Sequence, residues 1–80
     1  MPAEEETIRR VLRDRGYNVP DAANPPLGAN GLGLDSIAIV EVLLEVEEHF
    51  RIAVVDDDLL ANDPLTIEAV AAHVRMRLSA

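Results

Sequence analysis

Apolar positions recur with a helical period in three places along this chain. Between Ala3 and Arg15, the residues Ile8, Val11 and Leu12 fall at i, i+3 and i+4. Glutamates 4, 5 and 6 precede that stripe and Arg9, Arg10, Arg13 and Arg15 accompany or follow it, complementing the helix dipole at both ends. Gly16 is placed to end the helix in a left-handed conformation. From Tyr17 to Leu34 the chain holds three prolines, three asparagines and three of its four glycines, which predicts a long irregular loop. Such a loop needs an anchor, so Leu27, Leu32 or Leu34 is expected to be buried. A second helix is predicted from Ser36 to about Arg51, with Asp35 as its N-cap. "DDDLL" (Asp56 to Leu60) reads as a short helix, and Thr66 caps a last one carrying Ile67, Val70, Ala71, Val74 and Leu78 along one face. "IAVV" (Ile52 to Val55) is the nearest approach to a strand, without a sustained period of two. The expected fold is all-α, a four-helix bundle of three main helices plus a short helix, with the long loop between helices 1 and 2.

The second helix carries more apolar residues than one core stripe uses. At about 100° per residue, Ile39, Val42, Leu43, Val46 and Phe50 share roughly 60° of arc, and Phe50 is expected to be the heaviest core anchor. Ile37, Val40 and Leu44 lie roughly 100–160° away from the centre of that arc, flanked by Glu41, Glu48 and, further round, Glu45. Two readings follow. Either the long loop covers a wide buried face, or the helix presents a second ridge that is apolar in the middle and acidic at its edge.

Eighty residues make a single domain spanning 1–80, and with no cysteine neither disulfides nor thiolate metal sites brace it. Its aromatics are Tyr17 and Phe50, so the core is built from aliphatic side chains. The net charge of −8 is concentrated between Asp35 and Asp58, where eight acids face one arginine. That field repels phosphate, which excludes nucleic acid and anionic membranes as partners and favours proteins with basic docking patches. The plainer reading is a solvated acidic face that aids solubility. No targeting signal or membrane span is visible, so a cytoplasmic monomer is expected.

Ser36 stands where the second helix begins. A phosphate ester there would meet outward-pointing N–H groups and the positive end of the dipole, although a serine in that place can also be a simple capping residue. "GLGLDSI", followed by "VEVLLEVEEHF", "DDDLL" and "LTIEAVAAHV", resembles the acyl carrier protein family along nearly all of the chain. The family hallmark is an Asp-Ser-Leu or Asp-Ser-Ile triplet after a glycine-containing loop, opening an acidic second helix. The resemblance implies a four-helix bundle of acyl-carrier type. It also implies a covalent 4′-phosphopantetheine on Ser36, moved there from coenzyme A by a phosphopantetheinyl transferase. The arm's thiol would then hold acyl groups as thioesters for acyl-transferring, condensing or modifying enzymes. In the family the second helix is the recognition face. By position, Asp35 adjoins the cofactor, and Ile37, Val40, Glu41, Leu44 and Glu48 are the residues expected to meet partners.

The chain departs from the family's patterns in several places. Ile37 replaces the Leu commonest in fatty-acid carriers, and Ile here is frequent in aminoacyl and peptidyl carriers. Leu34 stands where those carriers usually have Gly, Val55 where Pro is common, and His73 near a usual aromatic. The chain has no lysine. These features point to a freestanding carrier in polyketide or related specialised biosynthesis. The alternatives are an aminoacyl or peptidyl carrier and a cofactor-free acidic adaptor.

No catalytic residue or metal ligand is expected. Ser36 with His49 or His73 lacks the strand and nucleophile elbow of a hydrolase, and "GANGLG" lacks the strand and helix of a dinucleotide fingerprint. Asp56, Asp57 and Asp58 are consecutive rather than alternating, unlike a calcium loop. His49 reads as a surface residue and His73 as lying at the edge of the last helix's buried face.

Overall fold

Three helices of this protein begin at a side chain that caps them. The computed structural model describes residues 3–21 and 23–79. Among them the helices are α1 (Ala3–Asp14), α2 (Ser36–Phe50), α3 (Asp57–Leu60) and α4 (Ile67–Leu78), with no strand. This is the expected all-α bundle with its long first loop. Asp35 and Thr66 cap as expected, and Asp56 joins them. Asp35 accepts from the Ala38 N–H at 2.8 Å, Asp56 from the Leu59 N–H at 2.8 Å and Thr66 from the Ala69 N–H at 3.1 Å. Gly16 follows α1 at φ +96°, a left-handed conformation that favours glycine. α2 instead stops at a left-handed non-glycine residue, Arg51 at φ 56°, whose N–H donates to the Glu47 carbonyl at 2.7 Å.

Helix α1 packs against both α4 and α2, and α3 packs against α4. The core takes Ile8, Val11 and Leu12 from α1, Val42, Leu43 and Val46 from α2, and Ile67, Val70, Ala71 and Val74 from α4. Val19, Leu27, Leu34, Val54, Leu59 and Leu65 close it from the connections and α3. The long loop is therefore an integral wall of the core. Leu27 and Leu34 are buried and Leu32 is half-buried. The loop is tied across the molecule by the Leu27 N–H to the Leu65 carbonyl at 2.8 Å.

Two expectations are corrected, at Phe50 and Leu78, and one buried contact is new. Phe50 is only half-buried, because it is the last residue of α2 and sits at the margin of the core. The largest fully buried side chain is Arg9, from which the sequence predicted no more than a dipole contribution. Its Nε and Nη2 donate to the Ala23 carbonyl at 3.1 and 2.8 Å, and Glu6 and Glu5 lie 3.3 and 3.6 Å from its guanidinium. A buried charge is tolerated when it is paired and hydrogen-bonded in this way, and here it staples the loop to α1. Leu78, in the last turn of α4, is 47% exposed rather than in the core. Ile52–Val55 forms no strand, in keeping with its lack of a sustained period of two; the chain there is held by Glu47, as described below.

Candidate functional site

The site is built by the loop that precedes α2. The Leu32 N–H donates to the Pro26 carbonyl at 2.9 Å, the Gly33 N–H to the Gly28 carbonyl at 2.8 Å and the Leu34 N–H to the Leu27 carbonyl at 2.9 Å. This fold brings the chain so close to itself at Gly31 that a Cβ there would lie 2.0 Å from the Pro26 oxygen, so only glycine fits. Buried Leu34 then pins the last residue before the Asp35–Ser36 pair.

Asp35 spends its carboxylate on capping. Ser36, the first helical residue of α2, is exposed, and among the described residues its hydroxyl has no hydrogen-bond partner. The N–H groups of the first turn lack intrahelical acceptors, and a helix N-terminus carries roughly half a positive charge. A phosphate ester on Ser36 therefore fits both the space and the field. Beside it lies a cleft of ≈ 420 Å³, with Ser36, Ile39 and Val40 on one side and Leu60, Asn62 and Leu65 among the residues on the other.

The five expected partner-contact residues run away from Ser36 at positions 37, 40, 41, 44 and 48, which one helix face holds together. Ile37 is 71% and Leu44 49% exposed, Glu41 and Glu48 are exposed, and Val40 is half-buried beside the cleft. The long loop does not cover this face, which removes the wide-buried-face reading. An exposed Ile and Leu one above the other cost solubility and contribute no core burial.

The acids of the 35–58 stretch do not all remain free. Glu47 turns back, and its Oε2 accepts from the Val54 and Val55 N–H groups at 2.7 and 2.9 Å. Glu45 accepts from Arg15 Nε at 2.9 Å, with His49 Nε2 3.9 Å from its other oxygen. Arg15 Nη1 also lies 4.0 Å from Glu41. Asp56 is internal as well: besides the Leu59 N–H it accepts from His73 at 2.9 Å and from Arg77. The Leu59 N–H, opposed by partial burial and aided by Arg77 and His73, brings the Asp56 carboxyl down to about 2 from the ordinary 3.8. Asp57 and Asp58, in the first turn of α3, are exposed. Arg15 was missed in the sequence because it meets Glu45 across thirty residues of chain; its only signal there was its place at the end of α1.

Among the described residues no group of three His, Cys, Asp or Glu side chains could hold a metal ion. Within the same residues, neither histidine is hydrogen-bonded to Ser36, so no Ser–His pair is formed. No helix is long and apolar enough to cross a membrane.

Residues 6–74 match the family described as "Phosphopantetheine attachment site". The acyl carrier protein of Desulforapulum autotrophicum is 27% identical over 75 residues, covering 91% of this chain and 95% of that one. The acyl carrier protein of Rickettsia bellii is 27% identical over 55 residues, covering 69% of this chain and 64% of that one. No solved structure matches significantly.

Proposed function

The chain belongs to the acyl carrier protein family, whose members bear covalent 4′-phosphopantetheine, and on that premise we propose that its arm is attached to the Ser36 hydroxyl. The observation that carries this reading is the exposed, unpartnered hydroxyl on the first residue of α2, ahead of an uncovered apolar ridge. When attached, the arm supplies a thiol that holds an acyl group as a thioester. The protein's own residues do the rest. The Asp35 cap and the Leu34 anchor fix the helix start, and the positive end of the helix dipole would favour the phosphate. The ridge from Ile37 through Val40, Glu41 and Leu44 to Glu48 is the surface that partners grip. A tethered substrate arrives with its carrier, so recognition can reside on that surface rather than on the cargo.

The partners are a phosphopantetheinyl transferase and acyl-transferring, condensing or modifying enzymes whose docking patches are basic, in keeping with the acids of α2 and α3. We place the protein, as a cytoplasmic monomer with one domain over 1–80, in polyketide or related specialised biosynthesis. The departure of Ile37 from the fatty-acid pattern supports that pathway class. The same residue favours the alternative, an aminoacyl or peptidyl carrier, and loading by an adenylating enzyme would separate the two.

Incubation with coenzyme A and a broad-specificity transferase tests the site. The wild type is expected to gain one phosphopantetheinyl mass and Ser36→Ala none. An unmodified wild type under conditions that load a control carrier, or a loaded Ser36→Ala, would overturn the reading.

A further inference from the structure

The outward side of α2 already contains a cation where a partner's basic group would arrive. Arg15, just past the end of α1, is 36% exposed; its Nε donates to Glu45 at 2.9 Å and its Nη1 lies 4.0 Å from Glu41. Together with Leu44, Glu48 and His49 these side chains line a shallow depression of ≈ 480 Å³ on the docking face. A lysine or arginine of a partner cannot pair fully with Glu45 while Arg15 holds it. We propose that Arg15 is a built-in competitor of the docking face, weakening its hold on simply basic partners. It thereby favours those that also offer a carboxylate to receive the displaced guanidinium. The inference rests on the reading of α2 as the docking helix.

The competition divides the helix. Near Ser36, the apolar Ile37 and Val40 meet no internal cation among the described residues, so contact at that end displaces no ion pair. Further along the helix, contact requires an exchange of ion pairs at Glu41 and Glu45. Exposed pairs are weak and screened by salt, so Arg15 adjusts affinity and leaves the fold unchanged.

The test measures binding of the full chain to a broad-specificity phosphopantetheinyl transferase at low ionic strength, with circular dichroism confirming that every variant is folded. Arg15→Gln is expected to tighten binding about two- to five-fold. Arg10→Gln, which removes the same charge from an exposed position on α1 with no ion pair among the described residues, is expected to change it far less. The gain is expected to vanish when Glu45→Gln is added to Arg15→Gln, and to shrink as salt is raised. Equal tightening by Arg10→Gln and Arg15→Gln would reduce the effect to net charge and overturn the proposal. Weaker binding by folded Arg15→Gln would overturn it as well. Glu41→Lys distinguishes this failure from that of the docking helix: if it leaves binding unchanged, the docking reading itself falls.

Discussion

Helices α1 and α2 lie side by side in the bundle and handle their apolar residues in opposite ways. In α1, Ile8, Val11 and Leu12 are all buried and most of the remaining surface is charged. Nothing apolar is left over, and the helix is explained once the core is. In α2, Val42, Leu43 and Val46 fill the core while Ile37 and Leu44 stand in solvent. The surplus is therefore not about stability. A helix whose burial fully accounts for its apolar side chains is explained by packing; one with an uncovered apolar stripe beside an exposed hydroxyl is not. The acids sort by the same comparison. Glu47 and Asp56 serve the fold and Glu45 is paired with Arg15, whereas Glu41, Glu48, Asp57 and Asp58 are exposed.

The sharpest way to break this division is to truncate neighbouring leucines of α2. Leu43→Ala, at a fully buried site, is expected to cost about 2–5 kcal/mol, much of the stability of a domain this small. Leu44→Ala is expected to fall within about 0.5 kcal/mol of wild type while slowing loading by the transferase. Urea denaturation of the two variants checks this, and equal losses would return Leu44 to the core.

A smaller effect is expected at Glu47. Glu47→Gln weakens the charge-assisted bonds to the Val54 and Val55 N–H groups and should cost about 1–2 kcal/mol in the same denaturation assay. Glu48→Gln, one residue on and exposed, should cost almost nothing. Identical behaviour would erase the distinction between structural and free acids.

The smallest effect concerns Asp56. Its folded pKa of about 2 lies below the ordinary 3.8, so ionised Asp56 stabilises the fold above that ordinary value. That contribution is lost as pH falls from 3.8 toward 2. Thermal melts should show the gap between wild type and Asp56→Asn narrowing over that window. A constant gap would mean that the carboxylate's charge is not what joins α3 to α4.

Much of this fold was legible because its signals are local. Asp35 and Thr66 each stand just before an apolar periodic run, and a cap bond reaches only three residues ahead. The ridge was legible for the same reason: Ile37, Val40 and Leu44 are placed by helical period alone. The misreadings were tertiary. Arg9 meets Ala23 across fourteen residues, Arg15 meets Glu45 across thirty, and no periodicity encodes either contact. Phe50 and Leu78 lie on faces their helices bury elsewhere, but each sits in a terminal turn at the core's margin. Angular position cannot report how far along its axis a helix stays covered.

The central claim is that Ser36 is where the arm is held. Protein purified from its native host, digested and mapped by mass spectrometry, tests it most directly. The account predicts a phosphopantetheinyl group on the peptide containing Ser36 and on no other. A native population with that peptide unmodified, or with the group on a different residue, would contradict it.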